Sequence, residues 1–391
     1  MKGLELMPYF MPLVVAALFT VPINTGDKAA RPFTCSGAVR GTAFVDTNGN
    51  GVRDPGEPPL SGVTVTLERT DTGLPAFGSV QKTSNFTTMM TPQYNGRGIT
   101  YNGTNYWISH DSQPMIYKLN PVTLAVMASV STAPWAPAAL TWDPNRLRIW
   151  TIGAKVPNQG NTPWRIWAID PATGLEVPGS AMPLPSQLVN PDGFQYDRRT
   201  DTFWSGNDQA GIVYHLNMAG AVIGSFATPM AALYGKTGIA FDGCNLWLAS
   251  MDHATAYQTR MMMVSDTGAL LTYFDYSLPS ENFGGEDIEV DATSAAPDVL
   301  LWAHSAGAAP KRLKAFSIGR TVRTTQTDVN GAFVFANVLP GQYQVKQQTM
   351  LAYTFSLPVG GVHVNVPVGN SVVTNQDFGN KRRSSRTGSK Q

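Results

Sequence analysis

The sequence predicts a nearly all-β protein, the larger part of which is a five-bladed β-propeller. Three observations carry that reading. The 391 residues include 37 glycines and 28 prolines, and no long stretch sustains a helical period. A motif returns about every 40 to 55 residues between Gly73 and Thr321, a period that signals an array of similar units. An oxygen-rich loop, DTNGNGVRDPGE, lies between SGAVRGTAFV and SGVTVTLERT, short β-branched runs that read as strands.

The chain opens with a lysine followed by an apolar stretch from Met7 to Val21, broken by Pro8 and Pro12. That stretch is short for a membrane span of about 20 residues and reads as a secretion signal over residues 1–30, with no stable span expected after processing. A composition of 43% hydrophobic and 14% charged residues is that of a globular chain, and a net charge of +1 offers no footprint for nucleic acid. Five of the 28 basic residues fall in residues 381–391, KRRSSRTGSKQ, which reads as a disordered basic tail. Cys35 and Cys244 are the only cysteines, and their positions in sequence leave open whether they pair.

The loop fits a calcium site place by place. Asp46, Asn48, Asn50, Asp54 and Glu57 supply side-chain oxygens at places 1, 3, 5, 9 and 12, Val52 offers its carbonyl at place 7, and Gly51 takes the sharp turn. A hard cation needs about six to eight oxygens, and donors that alternate with spacers let one short loop wrap it. A Gly/Asn-rich turn without an ion is the plainer alternative. Strands flank the site, so it is not a helix-loop-helix sensor.

The run GTAFVDTNGNGVRDPGEPPLSGVTVTLERTDTG resembles the opening half of the SdrD B-like domains of bacterial surface proteins. The closing half returns far downstream as TTQTDVNGAFVFANVLPGQYQVKQQ and PVGGVHVNVPVGNSVVTNQDFGN. The resemblance implies a small calcium-binding β-sandwich split into residues 36–74 and 321–380, with residues 75–320 inserted between the halves. It also implies an extracellular or cell-surface setting. Some relatives carry a lysine to asparagine crosslink; SGAVRGTAF holds no lysine, so none is expected here.

Within the insertion the first repeated element reads RGITYN, AALTWD, DGFQYD, TGIAFD and EDIEVD. The second brings Trp107, Trp150, Trp204, Trp247 and Trp302, bulky side chains suited to the wedge between neighbouring blades. The third reads MIYKLNP, RIWAIDP, IVYHLNM, MMMVSDT and LKAFSIG, and four repeats continue into a fourth strand such as LAVMASV, LEVPG, AVIGSFA or ALLTYFDY. The fifth repeat lacks one, and Phe77 to Phe86 can supply it, which closes the ring and brings the ends of the insertion together.

Loops entering first strands and leaving second strands gather at one channel mouth. They carry His110, Asp192, Asp208, Asp252, His253, Glu286, Asp287 and His304, which we read as a binding face. Acidic groups gathered there call for a cation, a basic partner or ordered water. The sequence has no HExxH, G-x-S-x-G, phosphate loop or paired CxxC. The reading is therefore a secreted or cell-surface structural or adhesive protein that binds calcium and displays its propeller to an extracellular protein or carbohydrate. Rival readings are a propeller hydrolase of esters, lactones or glycans, and a self-assembling subunit of an extracellular structure.

Overall fold

The structure, a computed structural model, describes residues 35–85, 96–110, 113–155, 164–189, 191–207, 211–229, 238–251, 258–277, 285–304 and 312–383. The expected signal segment 1–30 and residues 384–391 of the basic tail lie outside them. Apart from a single 3-10 turn at Val359–Gly361, the regular structure described is all strand.

Two sheets form a β-sandwich from the ends of the chain. One has the order Ala332–Phe335, Ala38–Val45, Phe378–Arg382, Tyr353–Leu357; the other has the order Val322–Gln326, Thr64–Arg69, Gly341–Gln347, Val362–Val368. The two halves interleave. Ala38–Val45 pairs antiparallel with Ala332–Phe335 and parallel with Phe378–Arg382, and Thr64–Arg69 lies between two strands from the far half. Alternation explains the packing: Val65 and Leu67 point inward from TVTLER, while Thr64, Thr66 and Glu68 face outward. Val39, Val65, Leu67, Phe333, Phe335, Val345 and Phe378 then fill one core, each buried aliphatic or aromatic side chain contributing roughly 1.5–3 kcal/mol.

Between the halves lie five four-stranded antiparallel sheets. Their first strands are Gly96–Tyr101, Trp135–Asp143, Pro191–Asp197, Gly238–Phe241 and Ile288–Asp291, and each touches the next until the fifth meets the first. Second strands are Tyr106–His110, Arg148–Lys155, Thr202–Asn207, Leu246–Met251 and Leu300–His304. Five separate apolar clusters fill the five gaps, and each repeat's tryptophan lies in the gap to the following sheet. Trp302 of the fifth sheet packs with Ile99, Tyr106 and Ile108 of the first, so the cycle is closed by packing.

It is closed by hydrogen bonds as well. Val80–Asn85, from before the first repeat, pairs antiparallel with Arg312–Ser317 and is the outer strand of the fifth sheet. In the second sheet the outer strand is not LEVPG but Met182–Pro183, with Glu176 making only an isolated bridge to Ile169. Pro178 has no N–H to donate to a ladder, which shortens the pairing there.

The chain leaves the sandwich after Thr64–Arg69 and returns beside its own exit. Arg69 N–H donates to the Thr321 carbonyl at 3.1 Å, and Ser317 N–H donates to the Ser79 carbonyl at 2.9 Å. A third link is covalent, a disulfide between Cys35 at the start of the sandwich and Cys244 in the turn between the first two strands of the fourth sheet. This bridge spans 209 residues, a separation that sequence reasoning could not evaluate. Asn245 Nδ2 donates to the Asn337 carbonyl at 3.1 Å beside it, so sandwich and ring share a hydrogen-bonded contact there. Cys35→Ser should lower the unfolding free energy by about 2–4 kcal/mol. The check is guanidinium unfolding with and without reductant; a midpoint unchanged by the substitution would show that the bridge adds nothing.

Candidate functional site

The loop from Asp46 to Glu57 is organised by its own side chains. Asp46 is buried and accepts the N–H of Gly49 at 2.6 Å and of Gly51 at 2.8 Å. Both glycines have positive φ, 76° and 78°, which turns their N–H groups inward. Asn48 and Asn50 each donate an amide N–H to Asp54 Oδ2 at 2.8 Å, and Glu57 accepts from the backbone of Thr47 and Asp54. Burial pushes the Asp46 carboxyl up. Ser356, which approaches without a full hydrogen bond, and the N–H groups of Gly51, Gly49 and Asn50 outweigh it and hold the group below the ordinary carboxylate value of 3.8.

Among the described residues no three of His, Cys, Asp and Glu converge as ligands of one metal. The amide oxygens of the loop accept its own backbone, Asn48 Oδ1 the N–H of Asn50 at 2.9 Å and Asn50 Oδ1 the N–H of Val52 at 2.8 Å. Asp328, in the neighbouring hairpin, accepts the N–H groups of Asn330 and Ala332, the hydrogen bonding of a tight turn.

The two ends of the ring differ. At one end first strands pass to second strands through tight turns, and this end meets the sandwich through Cys244 and Asn245. At the opposite end lie Arg97, His110, Asp192, Glu286, Asp287 and His304. Asp208, Asp252 and His253 fall outside the described residues. The remaining groups do not form an exposed acidic rim: His110, Asp192, Asp287 and His304 are buried and Glu286 is half-buried.

Asp192 has its charge met within the ring. Arg97 Nη2 reaches from the first sheet to Asp192 Oδ1 on the third at 2.6 Å, and the guanidinium also lies 5.3 Å from the centre of the half-buried Trp164 ring. Asp287 Oδ2 accepts the N–H of Ile99 and of Leu140, both at 3.1 Å, so one carboxyl joins the fifth sheet to the first and second. His304 is tied by its backbone to Asp287 and Glu286. The two histidines outside this group are held locally, His215 stacked on Trp204 at 3.9 Å and His363 Nε2 against the Asp377 carbonyl at 2.8 Å.

A second set of acids went unrecognised in the sequence although it ends every repeated element but the first. Asp143, Asp197 and Asp242 each accept turn N–H groups on Oδ1 and the indole N–H of the same sheet's tryptophan on Oδ2, at 3.1, 3.3 and 3.2 Å. These aspartates fasten the turn to the second strand. In the first repeat Asn102 replaces the aspartate, and the Trp107 indole N–H has no partner among the described residues. In the fifth, Asp291 binds Tyr106 of the neighbouring sheet and Ser294.

The clamps carry unequal charge. Burial raises the Asp197 carboxyl, but Arg199 outweighs it and leaves the group below 3.8. Asp242 stays above that value because burial outweighs its N–H partners. Removing the indole N–H by Trp150→Phe or Trp204→Phe should cost about 1–3 kcal/mol more than Trp107→Phe, since only the first two strip a hydrogen bond from a buried carboxylate. Urea midpoints of the three variants measure this, and equal losses would remove the clamp.

A family model described as the second β-sandwich domain of BOS complex subunit NOMO1-like proteins matches residues 311–378, the part of the chain that supplies the second half of the sandwich. A search of curated proteins finds no match. Among solved structures, the glutaminyl cyclase of Myxococcus xanthus is similar at 11% identity and a TM-score of 0.42, over 64% of this chain and 97% of that one. The PQQ-bound aldose sugar dehydrogenase of Streptomyces coelicolor is similar at 9% identity and 0.39, over 65% and 100%. The tail fibre of Staphylococcus aureus phage P68 is similar at 15% and 0.37, over 62% and 52%. Scores this low carry no activity across to this chain.

Proposed function

We propose that this is an exported structural or adhesive protein in which a calcium-stabilised β-sandwich of SdrD B-like type carries a five-bladed β-propeller as its display face. The observation that carries the reading is the polarity of the ring. Its tight-turn end is fastened to the sandwich by the Cys35–Cys244 bridge and the Asn245 contact, which leaves the end with Arg97, Asp192 and Trp164 directed away from the mount.

Three features support the separate parts. The five sheets meet in a closed cycle, as the blades of a propeller do, and each gap is filled by a repeat tryptophan. The bridge between the two cysteines fits an oxidising setting outside the cell. The loop presents donors of the type that calcium takes: Asp46, Asn48, Asn50, Asp54 and Glu57 with the Val52 carbonyl. The partner is an extracellular protein or a carbohydrate, for which the half-buried Trp164 at this end offers an aromatic surface.

Calcium at 100 times its dissociation constant should stabilise the wild type by about 2.7 kcal/mol, and chelation should remove that increment. Asp46→Ala/Glu57→Ala should melt at the same temperature with and without chelator. Thermal unfolding of both proteins decides the matter, and equal chelator shifts in the two would reject the loop as the calcium site. For the display face, Trp164→Ala should reduce retention on immobilised polysaccharides and matrix proteins that hold the wild type; unchanged retention would move the role to the sandwich.

A further inference from the structure

The closure between the fifth sheet and the first is unlike the other four junctions. Along Ile288–Asp291 and the residue before it, side chains alternate, so Ile288 and Val290 join the apolar cluster with Trp247 of the fourth sheet. Asp287, Glu289 and Asp291 point the other way, into the first sheet. Asp287 meets the Ile99 N–H, Glu289 Oε2 accepts the Thr100 hydroxyl at 3.0 Å, and Asp291 takes the Tyr106 hydroxyl. All three carboxyls are buried, and Asp287 Oδ1 has no partner among the described residues.

The first two acids of this column belong to the closing sheet alone. Where the fifth repeat has Asp287 the other four have Gly98, Ala139, Gly193 and Gly238. Where it has Glu289 they have Thr100, Thr141, Gln195 and Ala240. Two additional buried carboxyls at one junction cannot both be charged cheaply without a cation between them. Among the described residues, Asp291 and His304 lie on their own sheet, Tyr101, Tyr106 and His110 on the first and Arg198 on the third, while the second sheet offers the Leu140 N–H. Arg198 is a cation that interacts with Glu289, but this does not offset the burial of the glutamate.

We propose that a proton held on Glu289, beside the buried Asp287, keeps the ring shut, so that the junction between the first and fifth sheets weakens as pH rises. Burial pushes the Asp287 carboxyl well above 3.8, and it pushes Glu289 from 4.5 to about 8, with Asp291 adding to the rise and Thr100 opposing it. A group raised in the folded state stabilises fully below its unfolded value. For Glu289 that contribution is lost as pH climbs from 4.5 to about 8, because the unfolded chain releases a proton that the ring retains.

The experiment compares the urea unfolding of the intact protein and of Glu289→Gln, which mimics the protonated side chain, at pH values across this window with calcium held constant. One retained proton makes the wild-type folding constant fall about tenfold more per pH unit than that of the variant. Parallel pH profiles would overturn the proposal. Should Glu289→Gln not fold, difference infrared spectra of wild type labelled with 13C-glutamate decide instead. A protonated glutamate carbonyl band at neutral pH supports it, and the absence of that band overturns it.

Discussion

A cycle of sheets has a last gap that must be closed by something other than the order of the chain. Here the strand Val80–Asn85 is laid down before the first repeat and used only after the fifth has been made, when it pairs with Arg312–Ser317. The pairing ties residues far apart in sequence, so it closes a longer loop of chain than the hairpins within each sheet. It also sets the two passages to the sandwich side by side. The interleaving of the sandwich halves therefore depends on ring closure: Thr64–Arg69 can lie between Val322–Gln326 and Gly341–Gln347 only if the chain returns to where it left.

Strand content, the count of repeats and the use of Phe77 to Phe86 as an outer strand were legible because each leaves a periodic mark. Alternation in TVTLER marks a two-faced strand, and a tryptophan in every second element marks a gap to be filled. The ends of the ring were less legible. Asp192 read as a member of an acidic rim because nothing in local sequence couples it to Arg97, which comes from another sheet across the ring. The aspartates that close AALTWD, DGFQYD and TGIAFD leave a looser signal, an acid five or seven residues ahead of a tryptophan whose bulk reads as apolar filling. The Cys35–Cys244 bridge was beyond reach, since two lone cysteines carry no period and no spacing rule.

Five of the buried carboxyls fall into two kinds, and the difference shows where a chain with so few charged residues places them. Asp143, Asp192 and Asp197 each have an arginine within 3.0 Å, so their charge is met inside the fold. Asp242 and Asp287 accept N–H groups, which do not offset the loss of water. The paired kind serves single turns and a cross-ring contact. The unpaired kind stands at two places where separate parts of the molecule must stay together, the contact with the sandwich and the junction of the first and last sheets.

The disulfide has a mechanical consequence. The first long strand of the sandwich, Ala38–Val45, and the last, Phe378–Arg382, are parallel neighbours, so opposed forces on the two ends of the chain would load their hydrogen bonds together in shear. Cys35 stands just ahead of that pair. A pull arriving along the preceding chain is diverted at Cys35 through the sulfur bridge into the turn at Cys244, which hydrogen bonds to Arg199 and Asp242 hold in place. The ring thus lies in the path of tension, and the parallel strands are relieved of part of a force that would otherwise fall on them first.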